Sequence, residues 1–259
     1  MEEKVLDYYF VPSGLAVMVT YHVWLLHRII KHPTKTVIGI NAINRRFWVR
    51  SMMELKHLAF WHTCSLSYQR CCDVSNNGVL SVQTLRNNIM ASTLLASTAI
   101  MLGSLIAILM ASGSKDRSSF FMFGDQSEFS FSIKFFCILS CIMVAFPLNL
   151  QSIRYYSHAT ILINVPFKKM SQDHHHHNLI VEYVAKSVNR GSYFWSLGLR
   201  AFYFSLPLFL WIFGPISMFV SCHLLVAMLY FLDVTIDYGW VVGVCDDEIP
   251  KDEELGRGR

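Results

Sequence analysis

Histidine is the residue type in this chain that could support metal or acid–base chemistry, since it is present eleven times. Metal-dependent membrane enzymes use several histidines that converge on one site, often as H-x-x-H or H-x-x-x-H pairs. The seven isolated histidines form no such pairs; those considered as candidates are His22, His27, His32, His158 and His223. The four adjacent histidines at 174–177 are typical of a solvated low-complexity segment. We therefore predict no catalytic residue, no metal site and no cofactor.

The seven cysteines offer no second kind of chemistry. They form no C-x-x-C pair and show no zinc-finger spacing with histidine. Several lie within apolar stretches, where a cysteine behaves as a small hydrophobic residue. Neither a disulfide framework nor a structural zinc site is expected.

Long apolar stretches must position whatever polar groups the chain carries. Only 15% of the residues are charged, against about 25% in an average soluble domain. A bilayer core about 30 Å thick requires roughly 20 apolar residues in helical form. Four stretches meet that requirement, at residues 10–30, 92–112, 131–151 and 201–232. The sequence thus predicts one all-α integral membrane domain over 1–259, a polytopic bundle of four transmembrane helices plus amphipathic interfacial helices in the cytosolic loops.

The fourth stretch is too long for one upright crossing, because about 32 helical residues would reach about 48 Å, and it is too short for two. We predict one tilted or kinked helix with bends at Pro207 and Gly214-Pro215. A split or re-entrant segment is the alternative. Asp233, with Asp237 four residues on, is expected to end this helix in solvent, with cation binding as the alternative reading.

Basic residues are concentrated in the loops at 31–91 and 152–200. The positive-inside rule places both loops in the cytosol, and Glu2, Glu3 and Asp7 are unlike the basic start of a signal peptide. Both termini, including the acidic tail at 246–259, are therefore expected on the non-cytosolic side. Topology accounts for the basic charge, so no nucleic-acid partner is expected. We favour the plasma membrane over the endoplasmic reticulum, since no K-D-E-L signal is present.

Two segments of the basic loops are predicted to form interfacial helices. Asn41 is a candidate N-cap for a helix of mixed aromatic and basic residues reaching Met52. Residues 179–188 have helical periodicity, and Gly191 is expected to end that helix. Aromatic and basic residues together suit the headgroup region of a bilayer. The lipid bilayer is the expected partner, with an anionic lipid at the basic loops as a possible specific ligand.

Five polar side chains are candidates for a polar pathway or for lipid-facing contacts. His22 and His223 lie inside apolar stretches, whereas Gln83, Arg86 and Asn87 share one helix face before the second stretch. Ionisable residues inside a membrane often mark a transport path. Polar groups at the membrane edge can equally extend to the lipid headgroups.

Small residues recur every four positions on two of the apolar stretches, and such strips allow helices to approach closely in lipid. The strips are Ala99, Gly103, Ala107 and Ala111 on the second stretch, and Cys137, Cys141 and Ala145, continued by Asn149, on the third. We predict that the strips pack together or against a second copy of the chain. Gly103→Leu should then disturb assembly.

Several segments resemble a plant-rich family of uncharacterised integral membrane proteins, domain of unknown function 599. The matching segments read YHVWLLHR at 21–28, GINAINRRFWV at 39–49, VQTLRNNIMASTLLA at 82–96, NVPF at 164–167 and RAFYFSLPLFLWIFGP at 200–215. The resemblance covers nearly the whole chain and implies a multi-span membrane protein, but no activity. Residues 55–72 depart from the family pattern, and we predict that they are an insertion or a gene-model artefact.

These features favour a non-catalytic membrane adaptor or scaffold, because packed spans and two basic cytosolic loops are all that such a role requires. An oligomeric channel or transporter for a small solute or ion is the first alternative. A histidine-dependent membrane enzyme is the second and the least favoured. A homo-oligomer or a partner membrane protein is expected in the first two cases.

Overall fold

The computed structural model describes residues 2–62, 68–112, 128–164 and 174–234, and in these residues it confirms the all-α prediction. The six α-helices of this part are α1 (Glu2–Lys31), α2 (Val37–His62), α3 (Tyr68–Ser112), α4 (Glu128–Asn164), α5 (His174–Leu210) and α6 (Pro215–Asp233). Four segments are long and apolar enough to cross a membrane: Leu6–Lys31, Val79–Ala111, Phe129–Asn164 and Pro215–Asp233. The predicted tail at 246–259 lies outside the described residues.

Helices α3, α4 and α5 pack side by side in antiparallel order. Ser92 of α3 lies 3.1 Å from Ser152 of α4, between the two hydroxyl oxygens. From Ile138 onward, the buried residues of α4 alternate in steps of four and three: Ile138, Ile142, Ala145, Asn149, Ser152, Tyr156, Ala159 and Ile163. This spacing averages about 3.6 residues, the repeat of an α-helix, so one face of α4 lies against its neighbours over a long distance.

Helices α1 and α6 run parallel to each other. The rings of Phe10 and Phe219 lie 5.1 Å apart, and Leu25 packs with Leu229 in one buried cluster. Beyond α1, Thr36 forms an isolated antiparallel bridge with Val234. The start of α1 and the end of α6 therefore lie at opposite ends of the bundle.

Two main hydrophobic cores are stacked along the bundle. The first includes Met18, Ile106, Ile138, Leu208 and Met218 and so joins the apolar lengths of α1, α3, α4, α5 and α6. The second lies around Val49, Met53, Leu85, Tyr156 and Val184. We call the part around the second core the platform: α2 with residues 79–92, 152–164 and 178–192. Helices α3, α4 and α5 pass through both cores without a break, so the platform is continuous with the apolar bundle.

Helix α2 is held at its start and along its length by side chains. Thr36 caps it, because its hydroxyl oxygen accepts a hydrogen bond from the Gly39 N–H at 3.3 Å. Asn41 lies inside the helix, so the predicted cap at that position is wrong. Arg45 donates to the side-chain oxygen of Asn189 on α5 at 2.9 Å, and burial lowers the pKa of this guanidinium from its ordinary value.

The apolar stretch at 201–232 is divided between α5 and α6. The chain turns at 211–214, where Gly214 has a φ of 154°, a backbone region that side chains with a Cβ rarely adopt. Pro215 follows as the first residue of α6, where its missing N–H leaves no bond unmade. The Ser217 hydroxyl lies 2.8 Å from the carbonyl oxygens of both Leu210 and Gly214, next to the ends of both helices.

Gly191 does not end a helix, contrary to the prediction, because α5 continues through it to Leu210. A Cβ at Gly191 would lie 3.1 Å from Cδ1 of Tyr156 on α4. The glycine is thus a point of close helix approach. The predicted insertion at 55–72 is shared between the end of α2 and the start of α3, and residues 63–67 lie outside the described part.

Candidate functional site: a buried ionic cluster between α1, α5 and α6

Asp233 is the last residue of α6 and is only 7% exposed. Arg200, in the C-terminal half of α5, places Nη2 at 2.7 Å from Oδ1 and 2.8 Å from Oδ2 of this carboxylate. The ion pair is itself buried, with side-chain exposures of 13% for Arg200 and 11% for Asp233. The expectation that Asp233 ends its helix in solvent is therefore wrong.

Tyr21 completes the cluster from α1. Its hydroxyl donates a hydrogen bond to Oδ2 of Asp233 at 2.7 Å, and the residue is buried. We call Tyr21, Arg200 and Asp233 the ionic cluster. Since each comes from a different helix, the cluster joins α1, α5 and α6 close to the point where Val234 pairs with Thr36.

His22 lies beside the ionic cluster and is half-buried. Its Nδ1 lies 2.8 Å from the carbonyl oxygen of Met18; a carbonyl only accepts, so this nitrogen carries the proton. The imidazole packs against Phe204, with 4.8 Å between ring centroids. Two buried nitrogen atoms here have no hydrogen-bond partner in the structure, Nε2 of His22 and Nη1 of Arg200. Polar atoms left in this state are uncommon in folded proteins.

The cluster is suited to holding helices together. Both oxygens of the Asp233 carboxylate already accept hydrogen bonds from within the chain, so little capacity remains for an incoming cation. Among the residues that the structure describes, no group of three or more His, Cys, Asp or Glu residues is placed to hold a metal ion. A paired charge in an apolar layer stabilises one arrangement of its helices, because separating the partners would leave an uncompensated charge there.

A second polar contact lies near the opposite end of α1. Trp211, in the turn between α5 and α6, donates from Nε1 to Oδ1 of Asp7 at 3.0 Å. The ammonium of Lys134 on α4 lies 5.5 Å from the centroid of the same indole ring, a distance typical of a cation–π contact. These contacts connect α1, α4 and the turn at 211–214.

Helices α4 and α5 meet at a buried amide two residues before Arg200 on α5. Asn149 is fully buried and donates to the carbonyl oxygen of Ala145 at 2.8 Å, while its Oδ1 has no partner. Gly198 of α5 faces it so closely that a Cβ there would lie 2.6 Å from Nδ2 of Asn149. Only glycine at position 198 leaves room for this amide.

The structure does not bring the predicted pathway residues together. Gln83, Arg86 and Asn87 are exposed on α3, whereas His22 lies between α1 and α5. His223 is exposed on α6, and its Nδ1 bonds to the carbonyl oxygen of Phe219 in its own helix at 2.9 Å. Of the five candidates, His22 alone lies beside the ionic cluster.

The small-residue strips are used only in part within one chain. Ala99 is buried, and a Cβ at Gly103 would contact Ile142 and Leu139 of α4 at 3.8 Å, while Ala107 and Ala111 are exposed. A step of four residues advances by about 400° around a helix, which is one full turn plus about 40°. Each successive residue of the strip is therefore turned about 40° further away from the contact with α4. On α4, Cys137 and Cys141 are half-buried and Ala145 is fully buried.

Sequence reasoning missed the ionic cluster itself. The available signal was a single arginine, Arg200, directly before the apolar stretch at 201–232, together with a single carboxylate, Asp233, directly after it. Nothing in the spacing of residues 21, 200 and 233 indicates that they meet. Their contact follows from the turn at 211–214, which directs α6 back along α1.

Comparison with known proteins places the chain in a family but gives no activity. Nothing matches among the curated proteins or among the solved structures. The family described as "Protein of unknown function, DUF599" matches residues 9–63 and 68–238, which include the whole ionic cluster. Since these two segments make up most of the sequence, the chain belongs to the DUF599 family.

Proposed function

We propose that the protein is a non-catalytic membrane scaffold whose platform presents a helical surface at the cytosolic face. The observation that carries the proposal is the continuity of α3, α4 and α5 through both cores. Helices α4 and α5 have 37 residues each and would extend about 55 Å. A bilayer core is about 30 Å thick, so a substantial length of both helices remains to support the platform.

The platform has a surface suited to binding. Large apolar side chains are exposed on it, among them Phe47, Ile161 and Leu179, next to basic residues such as Arg50 and Arg154. Exposed apolar groups outside a membrane-spanning layer are a frequent mark of protein contact. Mixed aromatic and basic character also suits the membrane surface.

The topology that we propose has five crossings, with α5 as the fifth. Because α5 lies antiparallel to α4, from Gly191 at Tyr156 to Gly198 at Asn149, it crosses wherever α4 does. The N-terminus would then be non-cytosolic, and Val234, paired with Thr36, would lie at the basic, cytosolic end. This proposal adds α5 to the four segments that are long and apolar enough to cross a membrane, and it differs from the expectation that both termini are non-cytosolic.

Terminal tags test this topology. An N-terminal tag should be accessible only from the non-cytosolic side of intact vesicles, and a C-terminal tag only from the cytosolic side. If both tags were accessible from the same side of the membrane, the proposal of five crossings would be contradicted.

The alternative function is an oligomeric transporter or channel. It is favoured by the two unpartnered nitrogen atoms, His22 Nε2 and Arg200 Nη1, in an apolar layer, since ionisable groups in membranes often serve transport. The ionic cluster argues against it within one chain, because the Asp233 carboxylate is already occupied.

The intact mass of the complex released gently from its native membrane separates the two functions. A scaffold should retain a second protein in fixed stoichiometry, and Phe47→Asp on the platform should release it. The matched variant Ala107→Asn, on the exposed face of α3, should retain it. A symmetric homo-oligomer without a second protein, together with solute flux in proteoliposomes that His22→Ala abolishes, would favour the transporter and overturn the scaffold.

A further inference from the structure

A groove opens on the outer surface between α1 and α6. It has a volume of about 480 Å³ and is lined by Ala16, Val17, Thr20, Tyr21, Trp24 and Tyr230. Its lining on α1 includes the small, exposed side chains of Ala16 and Thr20. The groove is therefore a shallow channel along α1 that faces the surroundings of the bundle.

Aromatic rings form one wall of this groove. Trp24 lies 6.0 Å from Tyr21 and 5.9 Å from Tyr230, between ring centroids, and both pairs are inclined by only about 30°. The hydroxyl of Tyr21 is directed inward to Asp233, so this residue contributes mainly its ring to the groove. Such a wall offers apolar contact area with few polar groups, which suits an alkyl chain.

Arg28 lies at one end of the groove. Its guanidinium carbon is 5.1 Å from the centroid of the Trp24 ring, a cation–π contact that orients the side chain. No carboxylate in the described residues pairs with it: Asp233 pairs with Arg200, and Glu182 pairs with Arg46. Lys31 is exposed three residues further along α1. The end of the groove is thus positively charged without a counter-charge from this part of the chain.

The groove and Arg28 together extend over about one leaflet. The lining residues of α1 run from Ala16 to Trp24, a rise of about 12 Å, and Arg28 lies about 6 Å further along the helix; half of a bilayer core is about 15 Å. A chain lying along the groove would therefore have its headgroup near Arg28, at the same end of the bundle as the basic residues of the platform.

We propose that this groove binds an anionic phospholipid of the cytosolic leaflet. One acyl chain lies along the aromatic wall, and the phosphate pairs with Arg28, while Lys31 favours a headgroup with additional negative charge. Guanidinium and phosphate match in geometry and charge. The groove is separate from the exposed platform surface of the scaffold proposal, so either proposal can fail alone.

Quenching of tryptophan fluorescence by brominated acyl chains tests the site in the full-length protein. The nanodiscs would contain phosphatidylserine and phosphatidylcholine, with bromine on the acyl chains of one lipid in the first preparation and of the other lipid in the second. The quenching that arises at the groove is the difference in quenching between the unmodified protein and the variant Trp24→Phe. We expect that part to show a preference for phosphatidylserine of about fivefold, the effect of roughly one cation at a membrane surface.

Matched variants separate the groove from general surface charge. Arg28→Gln should remove most of the preference, whereas Arg50→Gln, the same charge change on an exposed position of α2, should leave it intact. Ala16→Phe should reduce quenching by both lipids because it fills the groove, and Ala107→Phe on exposed α3 should not. If Arg28→Gln fails to fold, Lys31→Gln at an exposed position should still lower the preference.

Three results would overturn the proposal. Equal quenching by the two lipids in the unmodified protein would remove the headgroup preference. Equal loss in Arg50→Gln and Arg28→Gln would assign the preference to general surface charge. Loss of the preference when inorganic phosphate is added in excess would indicate a site for free anions.

Discussion

One guanidinium nitrogen of Arg200 reaches both carboxylate oxygens of Asp233, at 2.7 and 2.8 Å, and so connects the C-terminal half of α5 to the last residue of α6. The two residues are 33 positions apart and lie on opposite sides of the turn at 211–214. The contact is possible because the turn directs α6 back along the bundle. It fixes how far α6 can slide along α5.

Breaking this pair on one side should be strongly destabilising. Arg200→Met leaves the Asp233 carboxylate buried without its cation, and we expect a loss of about 3–5 kcal/mol in the free energy of unfolding. The double variant Arg200→Met with Asp233→Leu removes both charges and should recover most of that loss. Unfolding in detergent by denaturant, followed by circular dichroism, measures the unmodified protein, the single variants Arg200→Met and Asp233→Leu, and the double variant. A double variant as unstable as the two single changes combined would contradict this view of the pair.

Tyr21→Phe should show what the third member of the ionic cluster contributes. The change removes the hydroxyl that donates to Asp233 at 2.7 Å, and a hydrogen bond to a charged group contributes about 1.5–3 kcal/mol. Tyr203→Phe is the matched control, because Tyr203 packs against the same small core and no hydrogen bond from its hydroxyl is found in the described part. The same unfolding assay should rank Tyr21→Phe well below Tyr203→Phe in stability.

Replacement by alanine should have opposite effects on stability at Gly198 of α5 and at Gly103 of α3. At Gly198 a Cβ would lie 2.6 Å from Nδ2 of buried Asn149, so Gly198→Ala must displace that amide or separate α4 from α5. At Gly103 a Cβ would meet Ile142 and Leu139 at an ordinary 3.8 Å, and alanine is favoured over glycine in a helix by about 1 kcal/mol.

We expect Gly198→Ala to lower the thermal midpoint in detergent and Gly103→Ala to leave it unchanged or raise it. Equal effects at the two positions would show that close approach at Asn149 does not limit packing. The sequence prediction for Gly103→Leu still stands, since leucine extends well beyond the space that a Cβ occupies.

The helical class and the apolar segments were predictable because they depend on local composition. A run of apolar residues long enough to cross a bilayer has few alternatives to a helix in lipid. Gly191 shows where this reasoning ends. A glycine after a periodic segment normally indicates a helix end. Here Gly191 instead accommodates the ring of Tyr156, a residue of α4 that lies 35 positions earlier in the chain.

The ionic cluster was not predictable for the same physical reason. Tyr21 and Asp233 are 212 positions apart, and their contact depends on a reversal at Gly214 whose positive φ has no unique sequence signal. His22, in contrast, was identified as an intramembrane polar group from its position alone, and it does lie beside the cluster. Local patterns therefore indicate which residues are unusual, and the tertiary arrangement decides which of them meet.

The attachment of α2 to α5 should depend on one half-buried amide, Asn189, more than on a surface ion pair. Asn189 accepts from Arg45 at 2.9 Å and donates to the Ala42 carbonyl oxygen at 3.1 Å. Asn189→Ala leaves the Arg45 guanidinium, which burial has partly desolvated, without this acceptor. We expect about 1–3 kcal/mol of lost stability and faster hydrogen exchange confined largely to α2.

Glu182→Gln is the matched control for this attachment. Glu182 also connects α5 to α2, through Arg46 at 2.6 Å, but the two side chains are 32% and 56% exposed. Exposed ion pairs contribute about 0–1 kcal/mol, because water and salt screen them. Hydrogen exchange on α2 should therefore change little in Glu182→Gln. If instead Glu182→Gln released α2 and Asn189→Ala did not, surface charge would hold the helix, and its attachment would weaken steeply as salt is added.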